Sequence, residues 1–349
     1  MSFYELAEKA MELERQGKKI IRLNIGDTNL PTDPRIVEAA VKSMQTTKAK
    51  YGPALGLPEL REMIAKREGC DVKNIAIGPS SKYLIFALMS VLLSQKERVV
   101  LPTPTWPAYE MVCRQLSLEA VKVKTTLEDQ WNFTGLDLDN AAMVIICNPN
   151  NPTSTLYDDT RVSAALEVAQ KNNVHAILDE AYRDLSFKEI PKHENAIRVR
   201  SFSKEFNMEG WRIGYVVAPE DVVKKLASFM QITTTCVPLF TQKAAIAAIE
   251  NEKSIKEANL SVWQPRVDKT SEMLAKAGFK FAKPDAGIYF FLTHDKVLDG
   301  EEYAMRLLDA GVAVSPGSAF GDHSRFIRIC ANQDEKILQE AIDIMAQAL

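Results

Sequence analysis

Hydrophobic and polar positions follow two patterns that alternate along the chain. Short apolar runs rich in Val and Ile predict strands, and they read NIAIG, RVVLP, EAVKV, AMVIIC, VHAIL and AIRVR. Amphipathic or apolar segments between them predict helices, among them PRIVEAAVKSM, SKYLIFALMSVLL and PAYEMVCRQL. Because most of the strands are continuously apolar, we expect them to be buried on both faces. The pattern predicts the α/β class, with a mostly parallel, doubly wound sheet.

The pattern changes near Glu250. A long polar helix, SIKEANLSVWQPRVDKTSEMLAKAG, leads into the strands IYFFL and RFIRIC and a final helix, EKILQEAIDIMAQA. We therefore predict a large domain over residues 30–250. A smaller α/β domain is expected to combine residues 1–29 with residues 251–349.

Composition excludes several classes of protein. The chain has 349 residues, is 46% hydrophobic and carries a net charge of −3, so it offers no basic field for nucleic acid or membranes. Its apolar runs are too short to span a bilayer, and it starts as a charged amphipathic helix rather than a signal peptide. Five scattered cysteines without CxxC favour reduced thiols and a cytoplasmic location. Four histidines without metal-binding spacing predict no metal site.

Unusual polar residues follow the predicted strands. In open α/β sheets, ligands bind beyond the carboxyl ends of the strands. After NIAI, Ser80, Ser81 and Lys82 open a helix whose free N–H groups suit a phosphate, although serine is also an ordinary N-cap. After AMVIIC, the stiff turn NPNNPT holds Asn151. These residues are expected to meet at one edge of the sheet.

Two further strand ends carry charged groups. VHAIL is followed by Asp179 and Tyr182, and a carboxylate at the tip of an apolar strand needs a cationic partner. AIRVR is followed by SFSK, which contains Lys204. Together the residues describe a ligand with a phosphate, a cationic ring nitrogen and an aldehyde. Pyridoxal 5′-phosphate fits, because proteins hold it through a lysine Schiff base and an Asp beside the ring nitrogen.

The whole chain resembles the class I/II aminotransferases of the fold type I pyridoxal-phosphate family. The motifs that carry the resemblance occur in the family's order: YGPALGLPELR, NPNNPT, DEAY, SFSK with GWRIGY, PDAGIYFF, SPGSAFG and FIRIC. Two departures are Ser154, where a glycine is usual, and SQKER, where a PGDEV turn is usual. Neither departure removes a side chain to which the resemblance assigns a chemical role.

The resemblance implies roles around the cofactor ring. Lys204 would bind the cofactor as a Schiff base and then shuttle the proton of the substrate, while Asp179 would keep the ring nitrogen protonated. Asn151 and Tyr182 would hydrogen-bond the ring 3′-oxygen. Trp106, in PTPTWPAY, would stack on the ring face, and its alternative role is core packing.

The resemblance also implies a phosphate site and an assembly. Arg212 would bind the phosphate through its guanidinium fork, aided by Ser201, Ser203 and the helix start described above. Tyr51 would reach the phosphate of the neighbouring subunit. The implied assembly is a homodimer with active sites at the subunit interface.

Substrate contacts are also implied. Arg328, in FIRIC, matches the residue that binds the substrate carboxylate, with Asn151 beside it, whereas Arg325 is expected on the opposite face. Gly26 lies where backbone approaches the substrate, or is only a turn glycine. Lys82 either pairs with a distal substrate carboxylate or is a solvated helix residue.

The expected activity is transfer of an amino group from an L-amino acid to a 2-oxo acid through a ping-pong mechanism, with aspartate or glutamate as candidate donors. A C–S β-lyase and an amino-acid decarboxylase are alternatives, because the same cofactor and lysine serve all three reactions. A non-catalytic regulatory module that senses the cofactor is a more distant alternative. Such a module usually brings a fused DNA-binding segment, and no basic arm is evident in the sequence.

Overall fold

The computed structural model of the chain describes residues 3–46 and 50–349. The helices are α1 (Phe3–Arg15), α2 (Pro34–Thr46), α3 (Pro58–Glu68), α4 (Ser81–Leu92), α5 (Ala108–Gln115), α6 (Asp159–Lys171), α7 (Phe202–Glu205), α8 (Glu220–Thr233), α9 (Leu239–Glu250), α10 (Glu252–Lys276), α11 (Gly300–Asp309) and α12 (Glu335–Gln347). The strands are β1 (Ile21–Arg22), β2 (Ile75–Gly78), β3 (Arg98–Thr103), β4 (Glu119–Lys124), β5 (Ala141–Cys147), β6 (His175–Asp179), β7 (Ile197–Ser201), β8 (Gly214–Val217), β9 (Lys280–Phe281), β10 (Tyr289–Thr293), β11 (Val312–Ala313), β12 (Ser315–Pro316) and β13 (Ile327–Cys330).

The large sheet has seven strands in the order β2-β8-β7-β6-β5-β3-β4. Strands β3 to β7 pair in parallel, and β8 is antiparallel to both of its neighbours. In β5, Met143 and Ile145 join one apolar cluster, while Val144 and Ile146 join another on the opposite face. Both faces are therefore covered, which is why the strand is apolar throughout. The predicted α/β class and mostly parallel sheet are confirmed.

Two strands of this sheet depart from the sequence pattern. The pattern does not predict β8, because four residues of GYVV between a turn and APE are too few to separate a strand from a loop. Strand β4 was expected to be buried like its neighbours, yet none of its residues is fully buried. It lies at the sheet edge, where the charged residues Glu119, Lys122 and Lys124 are exposed.

The N-terminal segment packs with the C-terminal part of the chain. Leu6 and Ala10 of α1 share an apolar cluster with residues of α11, β11 and α12. Strand β1 pairs in parallel with β11, and a separate antiparallel sheet has the order β12-β13-β10-β9. The domain ranges 30–250 and 1–29 with 251–349 stay a prediction. Residues 1–2 and 47–49, which those ranges include, lie outside the described residues.

The ends of three neighbouring strands set the position of the candidate site. Strands β5, β6 and β7 end side by side, so Asp179 and Ser201 lie at the same edge of the sheet. Helix α2 begins at Pro34, the first residue of the predicted segment PRIVEAAVKSM, and the Asp33 side chain accepts a hydrogen bond from the Arg35 amide at 2.9 Å. Among the described helices, none combines the length and apolar character needed to cross a membrane.

Candidate active site

A cavity of about 520 Å³ lies at the carboxyl edge of the large sheet. All the predicted site residues except Tyr51 line it: Gly26, Ser80, Ser81, Lys82, Trp106, Asn151, Asp179, Tyr182, Ser201, Ser203, Lys204, Arg212 and Arg328. These residues come from distant parts of the sequence. The fold brings them together because the strand ends, the start of α4 and the segment after β1 meet there.

Lys204 lies in the short helix α7, directly after β7. The hydroxyl of Ser201 accepts a hydrogen bond from the Ser203 amide at 3.2 Å and caps this turn. The Lys204 Nζ is 3.3 Å from Glu209 Oε1 and 3.7 Å from Asp27 Oδ1. Glu209 also accepts hydrogen bonds from Thr28, at 2.7 Å from its amide and 2.8 Å from its hydroxyl. The amine is therefore held at the cavity wall by a carboxylate that the sequence analysis missed.

A buried ion network lies behind α7. The Arg67 guanidinium bridges the carboxylates of Glu205, Asp184 and Glu252, with 3.1 Å to Asp184 and 2.7 Å to Glu252. These three carboxylates are close enough to bind a metal ion together. Arg200 also pairs with Asp184 and Glu205, and Lys256 pairs with Asp184, so three cations face these carboxylates. Hydrogen bonding in a buried network fixes the positions of its members. The network anchors the helix that carries Lys204.

Asp179 ends β6 and is 3% exposed. Burial raises the pKa of this carboxyl from 3.8 to about 6, and hydrogen bonds from Tyr109 and the Ala181 amide oppose the rise. The Tyr109 hydroxyl donates at 2.6 Å and the Ala181 amide at 3.1 Å. Among the described residues, no cationic side chain forms an ion pair with Asp179. A cationic ring nitrogen would therefore be a suitable partner for it.

Tyr182, Asn151 and Arg328 form a second buried group. The Arg328 guanidinium donates to Asn151 Oδ1 at 3.0 Å and to the Asn24 carbonyl at 2.7 Å. It is 2% exposed and lies over the Tyr289 ring, 4.4 Å from the centroid. The Asn151 amide nitrogen is 3.5 Å from the Tyr182 hydroxyl. A buried guanidinium held in this way can bind a carboxylate in a bidentate manner.

Arg325 has different surroundings. Its guanidinium donates to the Val297 carbonyl at 3.1 Å and to the Asp295 carbonyl at 3.4 Å, and it does not line the cavity. Arg325 precedes β13, which begins at Ile327, so the expectation that the two arginines lie on opposite faces of one strand stays a prediction.

The start of α4 forms one end of the cavity. Ser80 acts as the N-cap, and its hydroxyl accepts a hydrogen bond from the Tyr83 amide at 3.3 Å. An added Cβ at Gly214 would lie 2.9 Å from the Ser81 amide nitrogen, so only glycine lets β8 pass this close to the helix start. Arg212 lines the same cavity and donates to the Glu209 carbonyl at 2.7 Å. Free helix N–H groups beside a guanidinium suit a phosphate.

Lys82 and Trp106 contact each other at the cavity wall. The Lys82 Nζ lies 5.2 Å from the centroid of the Trp106 ring, although the lysine is exposed as a whole. Trp106 packs edge-on against Tyr109 at 5.5 Å. The lysine therefore borders the cavity and is solvated at the same time.

Gly26 brings the N-terminal segment close to the cavity. An added Cβ would lie 1.7 Å from the Tyr289 hydroxyl, which excludes any other residue without rearrangement. The Asn332 amide donates to the carbonyls of Ile25 at 3.3 Å and Asp27 at 3.0 Å, on either side of the glycine. Gly26 is thus required by a close approach rather than by a turn alone.

Tyr51 does not line the cavity and is 86% exposed. The sequence analysis missed several residues that line the cavity, among them the polar residues Asp27, Tyr109, Glu209 and Tyr289. Tyr289 lies within the motif PDAGIYFF, so a signal for it was present. Tyr109 and Glu209 lie three and five residues from Trp106 and Lys204, and no pattern in the sequence states where their side chains point.

Known proteins are similar to this chain over most of its length. The family model of the aminotransferases of class I and II matches residues 18–345. The aspartate aminotransferase of Thermococcus kodakarensis is 36% identical over 313 residues, which cover 88% of this chain and 83% of that protein. The asparagine–oxo-acid transaminase of Streptococcus mutans is 28% identical over 365 residues, covering 96% of this chain and 93% of that protein. The structure of the aspartate aminotransferase from Thermus thermophilus with maleate matches with a TM-score of 0.93 at 27% identity, over 100% of this chain and 97% of that one.

The fold and its neighbours define an α/β enzyme of fold type I. The chain belongs to the aminotransferase class I and II family, and its reaction is amino-group transfer. The β-lyase, decarboxylase and regulatory alternatives are not favoured by these relatives.

Proposed function

We propose that the protein uses pyridoxal 5′-phosphate to move the amino group of an acidic L-amino acid, aspartate or glutamate, to a 2-oxo acid by a ping-pong mechanism. The observation that carries the proposal is a single cavity that holds the amine of Lys204 and the buried carboxylate of Asp179. A buried carboxylate without a cationic side chain beside it is costly unless a ligand supplies the positive charge.

The residues of the cavity fit this cofactor. Asp179 would pair with the ring nitrogen, Asn151 and Tyr182 would bind the 3′-oxygen, and Trp106 would cover one ring face. The phosphate would be held by one set of residues: Ser80, Ser81, the Lys82 amide, Ser201, Ser203 and Arg212. When bound, the cofactor supplies an aldehyde for the amine and a ring that accepts electrons from the substrate Cα.

Two residues would act on the substrate. The Lys204 Nζ would hold the cofactor and, once the amino donor has replaced it, would move the proton of the donor Cα. Arg328 would orient the donor through two hydrogen bonds to its α-carboxylate, with Asn151 beside it. Because Arg328 is buried and stacked on Tyr289, it can hold the carboxylate without first being ordered.

The test of the reaction class is to mix the cofactor-loaded protein with an amino donor and no acceptor. A ping-pong transaminase yields the donor's 2-oxo acid in an amount no greater than that of the active sites. A β-lyase or decarboxylase needs no acceptor and would turn over many times. Repeated turnover when no 2-oxo acid acceptor has been added would contradict the proposal.

Lys82 is the proposed determinant for acidic donors. Its ammonium borders the cavity, where it can pair with a distal carboxylate. The similar proteins include aspartate aminotransferases, and the Thermus thermophilus structure contains maleate, which is a dicarboxylate. We expect Lys82→Met to lower kcat/KM for aspartate and glutamate about ten- to a hundredfold, with little change for alanine or an aromatic amino acid.

The control for this experiment is Lys224→Met, which removes an exposed lysine on α8 that pairs with Glu220. It should leave the activity with each donor near that of the wild type. Equal loss for all donors in Lys82→Met would assign the side chain to cofactor binding, and no loss would leave it a solvated residue.

The proposed assembly is a homodimer that shares its active sites. Val37, Val41 and Met44 are exposed apolar side chains at positions i, i+4 and i+7 of α2, so they lie on one helix face. Phe240 of the adjacent helix α9 and Tyr51 are also exposed. An apolar face of this kind supports an interface, and a second copy of the chain would bring Tyr51 to the phosphate of its neighbour.

A subunit-mixing experiment tests the shared site. Tyr51→Ala is expected to weaken activity, and Lys204→Ala to abolish it. When the two variants are dissociated and reassociated in equal amounts, half of the dimers are mixed, and one site of each has both residues intact. About a quarter of the wild-type sites should therefore return. No recovery, or a fully active monomer in sedimentation, would contradict the proposal.

We also propose a cytoplasmic location and no nucleic-acid or membrane partner. The five cysteines are free in the structure, which supports a reducing compartment.

A further inference from the structure

The hydroxyl of Tyr289 lies 2.8 Å from that of Tyr182, deep in the cavity. Tyr182 is 8% exposed and Tyr289 is 3% exposed. Burial raises the pKa of both phenols well above the usual value, so both are neutral near pH 7. One hydroxyl must therefore donate its proton to the other, and the direction decides what Tyr182 can offer to a ligand.

The orientation of Asn151 is fixed by Arg328. A guanidinium has only donors, so the Asn151 atom 3.0 Å from it must be the carbonyl oxygen Oδ1. The amide nitrogen of Asn151 then faces Tyr182, at 3.5 Å from its hydroxyl. The Tyr182 hydroxyl oxygen therefore accepts a hydrogen bond from Asn151, and the Tyr182 hydroxyl proton takes no part in that contact.

The surroundings of Tyr289 indicate which of the two tyrosine hydroxyls donates to the other. Among the described residues, its hydroxyl has one hydrogen-bond partner, Tyr182. If Tyr182 donated, the proton of Tyr289 would be buried without an acceptor, which carries the cost of an unsatisfied polar group. Donation from Tyr289 to Tyr182 instead leaves the unmatched proton on Tyr182, the more exposed of the two side chains, where it can point into the cavity.

We propose that Tyr289 is a positioning residue, which donates to Tyr182 and thereby directs the Tyr182 hydroxyl proton toward the cofactor 3′-oxygen. This inference rests on the proposed cofactor. The Tyr289 ring is held from two sides, by the Arg328 guanidinium 4.4 Å from its centroid and by the backbone of Gly26 against its hydroxyl. The site for the substrate carboxylate and the site for the cofactor oxygen thus share one side chain.

The test is Tyr289→Phe, which keeps the ring, its contact with Arg328 and its packing, and removes only the hydroxyl. A donor to the 3′-oxygen makes that oxygen less basic, so its loss favours the protonated form of the bound cofactor. We expect the pH midpoint of the cofactor absorbance change to rise by about 0.3 to 1 pH unit. The KM for the donor should change less than kcat, because Arg328 remains in place.

A double-mutant cycle separates this role from a structural one. In a Tyr182→Phe background, Tyr289→Phe should cause no further shift, because the proton that it directs is already absent. Tyr303→Phe is the matched control, since Tyr303 donates to the Met345 carbonyl at 2.6 Å and lies outside the cavity; it should leave the midpoint unchanged.

An unchanged midpoint in Tyr289→Phe would overturn the inference, as would an equal shift in the two backgrounds. Either result leaves the proposed function intact, provided that the wild-type protein binds pyridoxal 5′-phosphate through Lys204. A wild-type protein without that covalent cofactor overturns both.

Discussion

Replacing Lys204 with alanine is expected to lower the rate of amino transfer by about 10⁴-fold or more, because the variant loses both the covalent link to the cofactor and the group that moves the substrate proton. The cofactor should still bind, since its ring and phosphate contacts come from other residues of the cavity. Borohydride reduction followed by mass spectrometry would place the cofactor on the peptide containing Lys204 in the wild type and nowhere in the variant. Stopped-flow absorbance would measure the half-reaction.

The matched control is Lys280→Ala, which removes an exposed lysine that pairs with Asp295 outside the cavity. Its half-reaction rate should equal that of the wild type. A Lys204→Ala variant that retains near-wild-type turnover would show that another amine holds the cofactor. Lys82, the other lysine that lines the cavity, would then be examined first.

The fold was largely predictable because strands buried on both faces leave a strong local signal. Runs such as AMVIIC are apolar at every position since alternate residues pack in different clusters. Strand β8 has no such signal, because its four residues are brought into the sheet by antiparallel pairing with β2 and β7. Pairing between segments far apart in sequence depends on packing that a local pattern does not contain.

The site was predictable where a residue directly follows a strand or opens a helix. Asp179, Lys204 and Ser80 are of this kind, since the sheet sets their position whatever the neighbouring loops do. Tyr109 and Glu209 were missed because their contacts depend on where a helix or a turn packs. A sequence gives the chemistry of such a side chain but not its direction.

Asp179 shows both a property that the sequence predicts and contacts that it does not predict. The sequence predicts a buried carboxylate, and the structure agrees. The partners that the protein itself supplies are neutral donors, the Tyr109 hydroxyl and the Ala181 amide. These hydrogen bonds satisfy its oxygens without cancelling its charge, so burial still raises its pKa to about 6.

Asp179→Asn should slow the half-reaction by about three orders of magnitude while the cofactor remains bound, because a neutral amide cannot hold a proton on the ring nitrogen. The amide fits the site, since the Tyr109 hydroxyl can rotate to accept a hydrogen bond. Tyr109→Phe, which removes one hydrogen bond and keeps the charge, should cause a much smaller loss. Stopped-flow absorbance of the half-reaction would compare the two variants.

The cofactor-free protein offers an independent measurement. The pKa of Asp179 is near 3.8 in the unfolded chain and about 6 in the folded one, so folding favours the protonated form. The wild type should therefore lose about 2–3 kcal/mol of unfolding free energy from this group as the pH rises from about 4 to 7, and Asp179→Asn should lack that component. Asp158→Asn, at the exposed N-cap of α6, makes the same chemical change outside the cavity and should keep both the half-reaction rate and the pH-dependent component. A half-reaction rate within a few-fold of the wild type in Asp179→Asn would show that this carboxylate is not the partner of the ring nitrogen.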